Sequence, residues 1–358
     1  MNHSDIIVIG AGVSGLVVAN EMQRAGNSVV VVEKARGSGG RLSSKRVALS
    51  DQSALTFDLG CASFRAQSDG FKQALEAAGS SVATIEEHGE KRYCGTPRNS
   101  MMTRYLADQL EVYFSHRVFG IERYNDGWKV SCETSDGEIK RWLCSRLIIS
   151  APPAQSAALL PEKHPAQGLL QQSGIDPQWV AAFALDDNTV PRELLQRLSE
   201  NPDIEKVSIE NDKPGRDYAP GLIVCVIHFS SAWTKQTLNW TKQQVQTHVI
   251  ECFGCLGFDK LTPRAVHVHR WLYSRPTAQA NSLPAKARLE RALYYLDESG
   301  LALCGDYLAS QDYEGVERAW LSAKALASAM CRQMEEPNSM KAPNVGAIHS
   351  AEANLHGV

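Results

Sequence analysis

Near its start the chain reads Ile6-Ile7-Val8-Ile9-Gly10-Ala11-Gly12-Val13-Ser14-Gly15, an apolar run that passes directly into three closely spaced glycines. A helix-like segment follows, then a second apolar run, Val29 to Val32, and then Glu33, eighteen residues after the third glycine. This order of strand, glycine turn, helix, strand and acid is typical of the first βαβ unit of a dinucleotide-binding domain. The sequence therefore predicts an α/β fold that opens with a Rossmann-type domain.

The residue types in this turn match the demands of binding a pyrophosphate. Gly10 permits a tight turn, Gly12 lets the backbone approach the phosphates, and Gly15 lets the helix pack closely on the strand. Ser14 lies at the start of the helix, whose N-terminus favours negative charge. Glu33 would accept hydrogen bonds from an adenosine ribose. We expect these five residues to bind a cofactor; a glycine turn that only joins a strand to a helix is the alternative.

A second glycine cluster follows at once and indicates which dinucleotide binds. It reads Lys34-Ala35-Arg36-Gly37-Ser38-Gly39-Gly40-Arg41-Leu42-Ser43-Ser44. Its small residues would let backbone amides and Arg41 approach a phosphate or a ribose, and a nicotinamide dinucleotide alone has no evident need of such a turn. The pattern resembles the RxxGGRxxS signature of the two-dinucleotide-binding flavoproteins, in which an elongated FAD lies along this segment. Lys34, Gly40 and Arg41 are therefore predicted to bind the cofactor, and a flexible basic loop is the alternative.

Composition bounds the class of protein. With 358 residues, 43% of them hydrophobic and 22% charged, the chain fits a soluble globular protein of about two domains. A net charge of −3 gives no electrostatic footprint for nucleic acid. No apolar run reaches the roughly 18 residues that span a bilayer, and the N-terminus enters a strand without a secretory signal. We expect a cytoplasmic monomer without a nucleic-acid or membrane partner.

The nine cysteines lie mostly in predicted strands and helices, which indicates buried free thiols in a reducing compartment. Cys252 and Cys255 form the one CxxC, at the end of a helix that follows a capping-box pattern. Two half-buried thiols at a helix end explain this pair better than a redox or metal role. His228 and His269 lack metal-ligand spacing and are expected in the core or at the surface. We predict no metal site.

The middle of the chain indicates further strands. Residues 55–64 predict a strand and a turn that lead away from the cofactor. Short apolar runs over 111–150, separated by Asn-Asp-Gly and Asp-Gly turns, predict a β-meander. It returns to a parallel strand ending at Ala151, where such flavoproteins cross back under the cofactor. Strand-like runs over 160–285, separated by proline and charge, predict a second, largely antiparallel sheet.

Gly305-Asp306 is the third predicted cofactor-binding element. It ends a short buried strand and precedes a helix that begins near Gly315. A carboxylate at this place can hold a ribityl hydroxyl, and the helix dipole can stabilise negative charge on a reduced flavin. The alternative is an aspartate that only caps the next helix.

A flavin also needs a wall that excludes water beside the reacting ring. The predicted wall consists of Phe64, Trp233, Arg270, Trp271 and Tyr273, although a core position is the alternative for each aromatic residue. The basic turn from Lys213 to Asp217 is interpreted as a solvated loop, or alternatively as a contact to a substrate phosphate. No Ser-His-Asp set or carboxylate pair can be argued from spacing.

Taken together, these blocks resemble the renalase-like FAD oxidoreductases, in particular the bacterial members, over nearly the whole chain. The more specific blocks are the basic turn and His269-Arg270-Trp271-Leu272-Tyr273-Ser274-Arg275-Pro276. The resemblance implies a monoamine-oxidase-like two-domain fold with non-covalent FAD. It also implies an oxidase that takes hydride from 2- or 6-dihydro isomers of NAD(P) onto flavin N5 and passes electrons to dioxygen, giving NAD(P)+ and hydrogen peroxide.

One departure from that family bears on the substrate. After Gly60 the family pattern is Ala-Gln-Tyr-Phe, whereas this chain reads Cys61-Ala62-Ser63-Phe64, and Tyr307 stands where Trp is usual. Cofactor binding should survive these changes, but the substrate stays open. An amine oxidase or desaturase on the same fold is the alternative enzyme. A catalytically altered FAD-binding protein is the alternative without activity.

The segments imply a discontinuous arrangement of domains. We predict a FAD-binding domain of residues 1–75, 100–160 and 298–332, and a smaller mixed substrate domain of residues 76–99 and 161–297. Residues 335–358 are predicted to form a disordered tail.

Overall fold

The computed structural model describes residues 2–48, 54–188, 190–258, 262–277, 293–309 and 312–335. All but the first residue of the predicted disordered tail lie outside these ranges.

The strands in chain order are β1 Asn2–Ile9, β2 Val29–Val32, β3 Ser44–Ala48, β4 Ala54–Asp58, β5 Val82–Glu87, β6 Glu90–Gly95, β7 Glu111–Tyr113, β8 His116–Tyr124, β9 Gly127–Thr134, β10 Ile139–Ile149, β11 Ile175–Asp186, β12 Ile204–Ile209, β13 Leu222–Phe229, β14 Ala265–Pro276, β15 Tyr295–Leu296 and β16 Leu301–Leu303. The α-helices are α1 Val13–Arg24, α2 Asp69–Ala77, α3 Ser100–Ala107, α4 Pro153–Leu159, α5 Ala166–Gln172, α6 Arg192–Arg197, α7 Ser231–Gln236, α8 Lys242–Gly254 and α9 Gly315–Glu335.

The larger sheet has the order β15-β16-β10-β1-β2-β7, and β9 and β8 extend it from β10. Strands β16, β10, β1, β2 and β7 run parallel, as expected for a Rossmann-type core. Residues of β1 alternate between two cores. Ile6 and Val8 pack under α1 and α9, whereas Ile7 and Ile9 pack with the meander and α5. Both faces are covered, which explains the continuous apolar run in the sequence.

The second sheet has the order β12-β13-β11-β14 and is antiparallel throughout. One face packs against α6, α7 and α8, and the other packs against the β3–β4 hairpin. All eight residues of β13 are consequently buried. The predicted fold class, a Rossmann-type domain with a meander and a largely antiparallel second sheet, is confirmed. The proposed domain boundaries stay a prediction.

Local details differ from the predictions in physically simple ways. The last strand of the predicted meander and the parallel strand to which it returns are one continuous strand, β10, which pairs with β9 near its start and with β1 and β16 towards its end. Strand β7 pairs in parallel with β2 and so belongs to the core rather than to the meander. The capping box before α8 is present: Thr241 and Gln244 exchange side-chain to backbone hydrogen bonds.

Candidate active site

The first glycine turn lies between β1 and α1. Gly10 has φ +107°, a left-handed conformation that glycine adopts readily. A Cβ on Gly15 would lie 2.0 Å from the Gly10 carbonyl oxygen, so α1 packs directly on the turn. A Cβ on Gly12, in contrast, would meet nothing within 4 Å, and no side chain caps α1 there. The helix thus begins without a side-chain cap beside free space at Gly12, an arrangement that suits the approach of a phosphate.

The second glycine cluster packs on the first. The Gly39 N–H donates to the Ala11 carbonyl at 3.0 Å. A Cβ on Gly40 would lie 3.6 Å from the Gly12 Cα, and both Gly39 (φ +147°) and Gly40 (φ +52°) have left-handed φ values. Two motifs that are separate in the sequence thus form one glycine-rich surface beside the N-terminus of α1.

Glu33 and Lys34 follow β2 beside this surface. Glu33 accepts hydrogen bonds from the backbone N–H groups of Ala11 at 2.7 Å and Ala35 at 2.8 Å. Lys34 Nζ donates to Gln155 Oε1 at 2.8 Å. The carboxylate therefore ties the glycine turn to the end of β2, and its contact with a ribose stays a prediction.

Ser14 and Ala151 lie on either side of the same turn. Ser14 is buried and hydrogen-bonds the Cys304 thiol. Ala151 follows Ser150, whose hydroxyl donates to the Gly10 carbonyl at 3.2 Å. The ends of β10 and β16 are thus both in contact with the segment that the sequence predicts to hold phosphate.

Arg41 and Asp306 form a bidentate ion pair. Both N–O distances, Nη1 to Oδ2 and Nη2 to Oδ1, are 2.6 Å. Asp306 follows Gly305 after β16 and is 2% exposed, and a Cβ on Gly315 would lie 3.6 Å from Oδ2. Arg41 Nη1 also donates to the Ser274 carbonyl at 3.0 Å. Arg41 therefore joins the second glycine cluster, the Gly-Asp element and β14 of the second sheet.

The chain after β4 runs towards this ion pair, and the prediction that residues 55–64 lead away from the cofactor is wrong. Ser44 of β3 pairs with Asp58 of β4, so the antiparallel hairpin returns the chain to Arg41. The Cys61 N–H donates to the Arg41 carbonyl at 2.9 Å, and a Cβ on Gly60 would lie 1.9 Å from that oxygen. Gly60 is needed here because the two backbone segments touch.

Partly buried charges surround Ser63, and we call Ser63, Glu87, Arg92, Lys206 and Glu314 the Ser63 cluster. The Ser63 hydroxyl donates to Glu87 at 2.6 Å and accepts from Arg92 Nε at 2.9 Å and Lys206 Nζ at 3.2 Å. Arg92 also pairs with Glu314 at 2.8 Å, and Lys206 with Glu87 at 2.7 Å. Burial raises the pKa of Glu87, but hydrogen bonds from Lys206 and Ser63 outweigh it, and the net pKa is lowered. Glu87 is therefore ionised.

Two of the five predicted wall residues belong to the part of β14 that contacts this region. Trp271 packs against Leu59, and its Nε1 donates to the Leu59 carbonyl at 2.9 Å. Tyr273 is two residues further along β14, within a stretch where the register with β11 shifts between Trp271 and Arg275. It precedes Ser274, the residue whose carbonyl accepts from Arg41.

The structure does not bring the other three to the site. Phe64 is completely buried and stacks with Tyr93, so its ring has no surface left for a ligand. Trp233 lies in the core on the opposite face of the second sheet. Arg270 points to that same face, with its guanidinium 5.2 Å from the Trp179 ring. For Phe64 and Trp233 this is the core position that the sequence left as the alternative.

The basic turn fits neither of its two interpretations, since its charges are buried. Lys213 is 5% exposed and forms an ion pair with Glu210, which is fully buried. Arg216 forms an ion pair with Asp58, the last residue of β4. The turn thus locks the second sheet onto the β3–β4 hairpin. This buried network of ion pairs could not be predicted from the sequence, because a basic turn of this kind is usually solvated.

For His228 the sequence predicted only a position in the core or at the surface, without a functional role. It lies on β13, is 3% exposed, and its Nε2 is 2.7 Å from the Gly60 carbonyl. Burial lowers the pKa of His228 to about 4, so the ring is neutral at physiological pH. Because a carbonyl can only accept, Nε2 carries the proton, and Nδ1 has no partner.

All nine cysteines are free; Cys252 is buried and Cys255 is exposed. Within the described ranges, no group of three or more His, Cys, Asp or Glu side chains is arranged to hold a metal ion. In the same ranges no helix combines the length and the apolar character needed to cross a membrane.

The residues present fit an elongated dinucleotide such as FAD. The open space at Gly12 and the uncapped N-terminus of α1 suit a pyrophosphate. Glu33 lies on one side of this point, and the Arg41–Asp306 pair lies at the meeting of the two sheets. The fold and the site together define a FAD-binding protein of the Rossmann type.

Comparison with known proteins supports the assignment to the FAD-binding proteins. Residues 73–331 match the model of the flavin containing amine oxidoreductases, and the chain belongs to this family. Residues 8–78 match the NAD(P)-binding Rossmann-like domain. FAD is the cofactor of this family, as the sequence predicted.

Two curated relatives are prolycopene isomerases 1 and 2 from an Oncidium hybrid cultivar, each 31% identical over 146 residues. The match covers 38% of this chain and 24% of each relative, so this chain spans only about a quarter of their length.

Solved structures of similar fold include several oxidases. Putrescine oxidase bound to putrescine aligns with a TM-score of 0.60 at 12% identity, over 92% of this chain and 99% of that one. A protein described as a protoporphyrinogen oxidase from Exiguobacterium sp. aligns with a TM-score of 0.67 at 12% identity, over 93% and 99%. Cyclohexylamine oxidase from Brevibacterium oxydans gives 0.59 at 12% identity, over 93% and 99%. At such identities the likeness concerns the fold alone.

Proposed function

We propose that the chain is a renalase-like oxidase whose hydride donor is a 2- or 6-dihydro isomer of NAD(P) and whose electron acceptor is dioxygen. Bound FAD supplies a ring that accepts hydride at N5 and passes electrons to dioxygen, giving hydrogen peroxide. The protein has to hold that cofactor, orient the donor over it and exclude water. Hydride donors need positioning more than acid–base help, which suits a site without an evident general base.

In this proposal three distant segments hold FAD. The N-terminus of α1 would hold the pyrophosphate, Glu33 the adenosine ribose, and Asp306 the ribityl chain. The residues assigned to the cofactor are Gly10, Gly12, Ser14, Gly15, Glu33, Lys34, Gly40, Arg41, Ala151, Gly305, Asp306 and Gly315.

In this proposal the Ser63 cluster determines which hydride donor binds. It borders the Arg41–Asp306 pair from two sides. Cys61 bonds to Arg41 two residues before Ser63, and Glu314 directly precedes Gly315. A dihydronicotinamide nucleotide bears a carboxamide, hydroxyls and phosphates, and these groups need charged hydrogen-bonding partners. A simple amine on an apolar body gains little from such a wall and loses by desolvating it.

Trp271 and Tyr273 complete the proposed donor site on the other side. Both belong to the part of β14 next to Ser274, whose carbonyl accepts from Arg41, and flat rings suit stacking against a planar dihydropyridine. They would also exclude water from the reacting atoms. Phe64, Trp233 and Arg270 have no part in this proposal, because their contacts are with other residues.

Amine oxidation is the second candidate. The similar structures include oxidases of putrescine and cyclohexylamine, and an aromatic pair such as Trp271 and Tyr273 also suits an amine substrate. The two candidates differ in what the charged Ser63 cluster is for, and the substrate decides between them.

Anaerobic rapid mixing tests the proposal. The flavin-loaded protein is mixed separately with 2-dihydroNAD, 6-dihydroNAD, 6-dihydroNADP, putrescine and cyclohexylamine, and the visible flavin band is followed. We expect fast bleaching by one or more dihydronicotinamides, return of the band with air, and one peroxide per NAD(P)+. Bleaching by the amines alone would replace the proposal with amine oxidation.

A further inference from the structure

We propose that His228 is a positioning residue of the active site, which holds the backbone beside Arg41 in one conformation through the Gly60 carbonyl. We call residues 59–62 the strap. The inference rests on FAD binding by this family and not on the identity of the hydride donor.

Side chains from three different parts of the chain hold successive carbonyl groups of the strap. The carbonyls of Leu59, Gly60 and Cys61 accept hydrogen bonds from Trp271 Nε1 at 2.9 Å, His228 Nε2 at 2.7 Å and Asn99 Nδ2 respectively. The donors lie on β14, on β13 and in the loop before α3. A backbone held at three consecutive carbonyls by rigid elements has little freedom to rotate its peptide planes.

The backbone of the strap is in direct contact with the backbone of Arg41. The Cys61 N–H donates to the Arg41 carbonyl at 2.9 Å, and Gly60 leaves no space for a side chain at that oxygen. A rotation of the Gly60 peptide would therefore move Arg41, whose guanidinium pairs with Asp306. His228 acts on the site through this backbone and not by touching the cofactor.

The setting of His228 favours a specific role over simple packing. It is the single polar residue among the eight of β13, and all eight are buried. Its Nδ1 has no hydrogen-bond partner, and an unpaired buried polar atom destabilises the folded state. An apolar residue would avoid that cost. The bond to the Gly60 carbonyl is the one described interaction that only a donor at this position provides.

Variants of His228 separate positioning from stability. His228→Leu keeps the volume roughly but loses the donor, and His228→Gln restores an N–H donor. His267→Leu is the matched control, since His267 is a partly buried histidine on β14. The first readout is amide hydrogen exchange of the Cys61 N–H in apoprotein. The second is the flavin spectrum and midpoint potential of the loaded protein. The third is the rate constant of anaerobic flavin reduction by whichever donor reduces the wild type.

We expect His228→Leu to speed exchange at Cys61 at least about tenfold and to slow flavin reduction about 10- to 100-fold, since small misplacements near reacting atoms have effects of this size. His228→Gln should recover most of both, and His267→Leu should change neither. The inference is overturned if Cys61 exchange and the flavin spectrum in His228→Leu match the wild type, or if Gln rescues nothing while Leu and Gln are equally folded. Hydrogen exchange and the flavin spectrum are measured without a hydride donor. This test therefore stays valid even when no dihydronicotinamide reduces the flavin.

Discussion

Arg41 and Asp306 are 265 positions apart in the chain, yet their side chains meet through two 2.6 Å hydrogen bonds. The pair closes the gap between the second glycine cluster and the end of β16, and the Ser274 carbonyl on β14 completes the junction. Every element that the sequence assigned to the cofactor lies within reach of this junction or of the glycine turn beside it. The pair therefore sets how the larger sheet faces the second sheet at the site.

Replacing Asp306 with Asn should weaken this junction. The substitution preserves shape but leaves the Arg41 guanidinium without its counter-charge, so we expect a loss of about 2 kcal/mol in the free energy of unfolding and about tenfold weaker FAD binding. Chemical denaturation and FAD titration measure the two effects. Asp69→Asn is the control, because the Asp69–Lys72 pair is on the surface and should contribute almost nothing. Equal effects of the two variants would contradict the role of the junction.

Alanine at Gly12 and at Gly15 should have opposite consequences. At Gly15 a Cβ would lie 2.0 Å from the Gly10 carbonyl oxygen, so Gly15→Ala should lower stability by several kcal/mol, to the point of misfolding. At Gly12 a Cβ meets no protein atom, so Gly12→Ala should fold normally and bind FAD at least tenfold more weakly. Thermal melts and FAD titration separate the cases. A Gly12→Ala protein that binds FAD like the wild type would show that phosphate does not approach there.

Lys206 should matter for the donor and not for the fold. Lys206→Met removes one cation of the Ser63 cluster, and we expect the KM of a dihydronicotinamide to rise about tenfold with a smaller change in kcat. Lys235→Met is a matched control, because Lys235 pairs with Asp176 at the same 2.7 Å distance on α7. Steady-state oxygen uptake gives both constants. An unchanged KM in Lys206→Met would remove the Ser63 cluster from donor recognition.

His228 should make stability sensitive to acid. Its pKa is about 4 in the folded protein, lowered by burial and further by Lys206 and Lys213, against 6.5 unfolded. The unfolded chain therefore binds the proton first, and stability is lost as pH falls from 6.5 towards 4. His228→Gln should lose about 2 kcal/mol less than the wild type between pH 7 and pH 5 in urea denaturation. Burial also lowers the pKa of His269 to about 4. His269 therefore contributes the same loss of stability in acid to the wild type and to the variant. Identical pH profiles would mean that His228 is not neutral in the folded state.

The structure brings together the motifs that the sequence assigned to the cofactor, and these motifs could be recognised because each is local. The glycines and Glu33 occur at short fixed spacings, and the apolar runs define which strands flank them. The contact between Gly40 and Gly12 follows from these motifs once both are placed beside α1.

The proposed binding site of the hydride donor was harder to predict from the sequence, because it depends on side chains that are distant in the chain. Arg92 and Lys206 meet at Ser63, and Glu314 joins them through Arg92, only because three separate sheets and the residue before α9 come together here. The structure separates the predicted wall residues in part for a reason visible in the sequence. Arg270 and Trp271 are neighbours on one strand, so their side chains have to point to opposite faces.

The most direct test of this account is an equilibrium titration of apoprotein with FAD, compared with the same titration of Gly12→Ala. We predict one FAD per chain for the wild type, a yellow protein, and markedly weaker binding by the variant at unchanged thermal stability. Wild-type protein that stays colourless and takes up no FAD would contradict the account, because the glycine surface and the Arg41–Asp306 junction would then have no ligand to share.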